Sequence, residues 1–306
     1  MFIGQHLLTI AKMTASLSIW LVLLTLVFLP LERLFSLRRA RFLRSGFLTD
    51  LGYYFINGIV PGLALGVPLA AAAWVAHRWE PASLTGAFAH APLAVRFLLA
   101  LLVTEIGFYW GHRWSHEIPF LWRFHAVHHS PTHVDWLVNS RGHPVDFIFT
   151  RLCGLVPLFM LGLGNPVGGD AASIPFVVML LGPAWGFFIH ANIRWRFGPL
   201  EWLVATPAFH HWHHTNDGPA LINKNYAPML PWVDRLFGSY HLPRDRQPTV
   251  YGTHTGVPAD LVGQLLDPFA PASRQAEGNI DSTASAAASD GVPEAGRSSV
   301  KASANP

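Results

Sequence analysis

Twelve histidines lie between His112 and His214, and most of them fall in three short clusters. The first is His112-Arg-Trp-Ser-His116, the second His125-Ala-Val-His128-His129, the third His210-His211-Trp-His213-His214. Imidazole is the commonest transition-metal ligand. On a helix, residues three and four apart share a face, so each cluster is expected to offer its ring nitrogens to one point. Eight of these histidines fall on such faces, and His190, at the end of a later apolar run, makes a ninth. One ion takes about four to six donors, so the pattern reads as a site for two ions.

Donor softness narrows the metal. Imidazole suits iron, zinc, copper and nickel, whereas magnesium and calcium want oxygen. Carboxylates are sparse near the clusters: Glu117 adjoins His116, and Asp135, Asp146 and Asp217 are the others nearby. The Glu-x-x-His pair of soluble carboxylate-bridged di-iron bundles is absent, as is the HExxH zinc-protease helix. The single cysteine, Cys153, lies in an apolar stretch, which excludes a disulfide framework and any CxxC motif. A histidine-rich pair of ions points towards non-haem iron and dioxygen.

The elements that must carry these residues are membrane helices. The chain is 51% hydrophobic and only 13% charged, against about 25% charged for a soluble domain. Five apolar segments approach the roughly 20 residues a crossing needs: about 10–30, 51–76, 93–111, 147–165 and 174–190. Gly58, Pro61, Gly62, Gly66 and Pro68 predict a kinked or re-entrant second segment. The turn-rich run 164–170 predicts a hairpin between the fourth and fifth. No small-residue cleavage site follows the first segment, which is read as a retained helix rather than a signal peptide. The basic run from Arg33 to Arg44 follows it and marks the cytoplasmic side. Its attraction to anionic headgroups follows from the same charges. With that orientation all three histidine clusters reach one cytoplasmic face. The predicted fold is all-α: four to five spans with a cytoplasmic, histidine-rich helical cap. The boundaries read as a first span and basic loop at 1–46, a membrane-embedded oxygenase domain at 47–245, an extension at 246–271 and a disordered tail at 272–306, poor in apolar residues.

The motifs resemble those of the fatty acid hydroxylase/sterol desaturase superfamily of membrane-bound di-iron oxygenases. The residues that carry the likeness are Tyr109-Trp110-x-His112-Arg113-x-x-His116, His125-x-x-His128-His129-Ser130 and His210-x-x-His213-His214, supported by Arg141-x-His143-Pro144, Asn225-Tyr226 and Asp234-Arg235-x-Phe237-Gly238-Ser239-Tyr240. The likeness covers about residues 95–245. It implies two iron ions held by His112, His116, His125, His128, His129, His190, His210, His213 and His214, with O2 as co-substrate. It also implies electrons from a ferredoxin or a cytochrome b5-type donor with its reductase, and hydroxylation or desaturation of a lipid such as a sterol or fatty acyl chain.

Arg194 stands where some relatives carry a further histidine, leaving His143, Asn192 or water to complete the coordination. Glu105 stands near an acidic position of the family and is expected to orient a ligand imidazole. Tyr109 and Trp110 either line a lipid slot or anchor the helix at the membrane interface. His143 serves equally as ligand or turn former. His211 and His133 fall off the shared faces. Two other classes compete: a metal store or transporter, and a family member that binds lipid without catalysis. Transporters place ionisable ligands near the bilayer midplane, whereas these clusters end the spans. The basic residues follow topology and suggest no nucleic-acid partner. With no retention signal at the C-terminus, a bacterial inner membrane is the expected location. Neither the lipid nor the oligomeric state is legible.

Overall fold

The computed structural model describes residues 2–79, 91–163, 174–253 and 256–270. Chain contacts separate two units, residues 1–253 with 257–268, and residues 254–256 with 269–306. All that follows concerns the first. The predicted tail 272–306 and the turn 164–170 lie outside the described residues.

Helix α1, Phe2–Phe35, is apolar along nearly its whole length. Leu17, Leu21, Leu24, Phe28, Leu31 and Phe35 recur at steps of three and four, and this stripe packs on Tyr54, Trp136, Ala191 and Ile193. Most of its other residues are exposed, as lipid-facing positions would be. Helices α2 (Phe47–Ala64) and α3 (Gly66–Trp79) form one bent rod. The bend falls at Leu65 because Pro68 has no N–H for the Ala64 carbonyl and Gly66 tolerates the distortion. The predicted kink is therefore present.

Helix α4, Leu93–Glu117, carries His112 and His116 in its last turns. Ile118 is extended, as a residue before proline must be, and Pro119 then opens α5, Pro119–His129. Helix α6, Pro144–Met160, starts the same way behind His143, and α7 is Ile174–His190. Helices α4 and α6 pack very closely. Gly107 and Gly111, four apart on α4, meet the backbone and side chain of Cys153 and the backbone of Gly154. Ala100, Leu155, Leu158, Leu163 and Val178 form the core beyond that contact. Short helices α8 (Pro207–His213), α9 (Trp232–Leu236) and α10 (Leu261–Leu266) complete the cap.

Among the described residues the named elements are helical, as the sequence predicts; only two isolated bridges, Ser36 with Ile193 and Thr215 with Tyr251, are added. Three segments are long and apolar enough to cross a membrane: Gly4–Phe35, Phe47–Val75 and Leu93–Glu117. The two further expected spans are helices of 17 residues each, α6 and α7. Among the described residues α6 ends at Met160, and at 1.5 Å per residue it is roughly 25 Å long, short of a hydrocarbon core of about 30 Å.

Candidate metal centre

Nine imidazoles from four helices and the residue that follows α8 converge in two groups. His112, His116, His125, His129 and His213 form one; His128, His190, His210 and His214 form the other. Within each group one ring nitrogen per residue lies within 4.8 Å of all the others. These are the nine histidines that the sequence singles out. The expectation that each cluster serves one point is corrected. His125 and His129 share a group while His128 joins the other, and His210 and His214 share a group while His213 does not. Residues four apart on a helix differ by about 40° in direction, whereas neighbours differ by about 100°, so adjacent histidines in a cluster reach different points.

Fixed acceptors set the tautomers. His112 Nδ1 is 2.7 Å from the Tyr226 carbonyl, His128 Nδ1 2.7 Å from that of Arg141, His190 Nδ1 2.7 Å from that of Gly186, and His213 Nδ1 2.8 Å from that of Lys224. A carbonyl only accepts, so Nδ1 carries the proton and Nε2 keeps a lone pair. His125 Nδ1 donates to Asp146 Oδ2 at 2.9 Å, and His116 Nδ1 to Asn223 Oδ1 at 3.1 Å. The Nε2 atoms of His116 and His125 are 3.0 Å apart, and those of His128 and His190 3.3 Å. The His128–His190 pair has no proton to share, since each ring carries its own on Nδ1 against a carbonyl. Two lone pairs facing at this distance repel, and a cation among them would remove the repulsion; the donor set fits a bound metal.

Burial keeps the rings of His128, His129, His210, His213 and His214 neutral. It pulls His128 down to about 4, with neighbouring His125 adding to the effect. Burial first, then the adjoining imidazoles, holds His129, His210, His213 and His214 well below the usual histidine range. Neutral imidazoles have the lone pairs that metal ligation needs.

A polar frame positions the acceptors. Asp234 accepts from the Tyr226 and Ala227 amides, both at 2.8 Å, and from Ser239 Oγ at 2.7 Å. Tyr109 Oη is 2.8 Å from Ser239 Oγ. Asn225 Nδ2 donates to the Phe209 and His241 carbonyls. Asn223 and Asn225 both adopt positive φ, near 60°, a conformation asparagine tolerates better than most residues. The result is a rigid 223–227 segment whose carbonyls hold His112 and His213.

The remaining predicted residues do other work. His143 caps α6, its Nδ1 accepting from the Val145 amide at 3.2 Å while Nε2 faces the Leu265 carbonyl. Asn192 clamps the backbone of Arg38, accepting from its amide at 3.0 Å and donating to its carbonyl at 2.7 Å. Glu105 Oε1 accepts from the Met229 and Leu230 amides, not from an imidazole; Asp146 is the carboxylate that orients one. Tyr109 is fully buried and belongs to the frame. Trp110 lines an apolar groove of about 750 Å³ between α4 and α6, with Val103, Ile106 and Trp114. His112, two residues on, is about 200° round the helix, so the groove opens on the side of α4 away from His112 and His116. His211 is buried and tied through Nδ1 to Tyr251 Oη at 2.8 Å and through Nε2 to the Ala191 carbonyl at 3.1 Å.

Residues 97–239 match the family model described as fatty acid hydroxylase. The chain is 34% identical over 188 residues to ornithine lipid hydroxylase OlsE of Rhizobium tropici, covering 60% of this chain and 53% of that protein. It is 35% identical over 157 residues to alkylglycerol monooxygenase of Danio rerio, covering 51% and 32%. It is 28% identical over 159 residues to very-long-chain aldehyde decarbonylase GL1-7 of Oryza sativa subsp. japonica, covering 47% and 23%. The chain thus spans about half the length, or less, of these relatives. No solved structure matches it.

Proposed function

We propose that this chain, whose residues 97–239 match the fatty acid hydroxylase family model, is a membrane-bound di-iron oxygenase that hydroxylates a lipid. The observation that carries this reading is the five-and-four gathering of imidazoles whose ring nitrogens face one another. His112, His116, His125, His129 and His213 would hold one iron, and His128, His190, His210 and His214 the other. Bound iron supplies activation of O2 and cleavage of an unactivated C–H bond, which no side chain performs unaided. The protein's part is to hold the ligands. Asp146 and the carbonyls of Arg141, Gly186, Lys224 and Tyr226 hold five of the nine rings, those of His125, His128, His190, His213 and His112, by Nδ1, with Nε2 turned towards the metal. Close packing around the buried histidines limits water at the centre. With four imidazoles in the second group, neither His143 nor Asn192 is required.

Hydroxylation is preferred over desaturation because the relatives named above include a hydroxylase and a monooxygenase. An ornithine-containing lipid and an alkylglycerol are the first substrates to try. Electrons would come from a separate ferredoxin or a cytochrome b5-type protein with its reductase. The centre would face the cytoplasm of a bacterial inner membrane, on the side marked by Arg33 to Arg44. Metal analysis of the purified chain, together with lipid mass spectrometry of cells with and without it, tests the proposal. About two irons per chain are expected, one per histidine group, with a lipid gaining the mass of one oxygen. Both should be lost in His128→Ala. Lipid oxidation by metal-free protein would refute it.

A further inference from the structure

Immediately after α1 the chain folds around a concavity of about 390 Å³ that the iron chemistry does not use. Arg33, Arg38, Arg39 and Arg41 contribute to its lining. Against them stand two carboxylates, and neither is free. Glu32 Oε1 accepts from the Trp136 and Asn192 amides, and Asp135 is paired with Arg44, which lies outside the lining. Arg39 and Arg41 are exposed, and among the described residues neither has a hydrogen-bond or carboxylate partner. In the same wall His133 Nε2 is buried without a hydrogen-bond partner. The pocket therefore offers uncompensated positive charge to whatever enters.

Its position selects the ligand. Leu29 and Arg33 lie in the final turns of a helix long and apolar enough to cross the membrane, and Leu29, Phe42 and Phe47 give the lining an apolar component. A cationic hollow at a span end, with an apolar margin, matches a phosphoryl group that carries acyl chains. We infer that this pocket binds the phosphate of an anionic phospholipid headgroup at the bilayer surface. Guanidinium groups recognise phosphate oxygens by directed, charge-assisted hydrogen bonds, which an unspecific cloud of lysines would not provide.

The site is joined to the histidine centre. Asn192 forms part of the pocket wall, clamps Arg38, and lies two residues after His190. The Leu37 amide donates to the Asn192 carbonyl at 3.1 Å, and Ser36 bridges to Ile193. The guanidinium of Arg38 lies 4.3 Å from the ring centroid of Tyr251, whose hydroxyl meets His211. A headgroup held by the arginines would thus tighten the segment that follows His190 as well as fix the first span.

The test uses the full chain, delipidated in a neutral detergent and titrated with phosphatidylglycerol or phosphatidylcholine by native mass spectrometry. Phosphatidylglycerol is expected to bind at least about tenfold more tightly, given two unpaired arginines, and to raise the melting temperature. The double variant Arg39→Ala/Arg41→Ala should keep its helical circular dichroism and lose both preferences. Equal binding of the two lipids, or a double variant that still prefers phosphatidylglycerol, would overturn the inference. So would glycerol 3-phosphate binding as tightly as the lipid, which would mark a soluble-anion site. Loss in the double variant of an acidic redox protein's binding, with lipid binding unchanged, would overturn it as well.

Discussion

Asp146 does more for the candidate centre than its single carboxylate suggests. Its Oδ2 takes the Nδ1 proton of His125 and its Oδ1 takes the hydroxyl proton of Ser115, so the ring is fixed with Nε2 towards His116. Asn at this position would keep the size and lose the charge, and its amide can turn a donor towards His125, forcing the proton onto Nε2 among the other lone pairs. Asp146→Asn is expected to weaken iron binding by about 10- to 100-fold, measured by competition with a chelator; unchanged affinity would remove Asp146 from this role. Protonation provides a second handle. His128 and His211 are each pulled down to about 4, chiefly by burial. Their folded values lie below the unfolded value near 6.5, so as pH falls the unfolded chain takes up protons first. Stability of the metal-free protein is therefore fully present above about 6.5 and lost progressively towards about 4, with each ring contributing on the order of 3 kcal/mol. A melting temperature that stays flat across this window would contradict the assignment of neutral, buried rings.

Helix α4 delivers His112 and His116, and α6 delivers Asp146, so the separation of these two helices sets the geometry of one histidine group. Gly107 controls that separation. A Cβ there would lie 2.2 Å from the Cys153 carbonyl oxygen and 2.7 Å from the Gly154 Cα, both backbone atoms that cannot rotate away. Gly107→Ala should push the helices apart, cost about 1–3 kcal/mol in stability and weaken metal binding. Gly182→Ala on α7, with nothing within 4 Å of the added atom, should leave both unchanged. Scanning calorimetry and metal titration of the two variants would separate a packing effect from a general intolerance of alanine. This contact was open to sequence reasoning, since Gly107 and Gly111 stand at the spacing that close helix pairs use, but nothing in the sequence says which helix they meet. The nine converging histidines were legible because metal ligation demands a rare residue at helical spacing. Their division into two groups was not, because it depends on how α5 and α8 are turned relative to α4 and α7. Asp146 was hidden for the same reason: its partner His125 is 21 positions away. Glu105 looked equivalent by type, and only the fold shows that it serves two backbone amides.

At the scale of the molecule, the arginine–carboxylate ties between elements fall at one end of the spans. Arg44 reaches Asp50 and Asp135, joining the loop after α1 to the start of α2 and to the segment after α5. Arg141 pairs with Asp50 from beside the α6 start, and Asn192 clamps Arg38 from beyond the α7 end. The end of α1, the start of α2 and the end of α4 therefore meet around the histidines, whereas the start of α4 at Leu93 is a span's length away. The arginine-rich loop that takes part in these ties is also the strongest topological signal in the chain, so its side fixes the side of the whole centre. In a Cys153→Ser background, Ser45→Cys is expected to resist a membrane-impermeant maleimide in intact bacterial cells and to react once the membrane is opened. Ala91→Cys, beside the start of α4, should react in intact cells. The reverse pattern would put the histidines outside, out of reach of a cytoplasmic electron donor, and the oxygenase proposal would then need an external source of electrons.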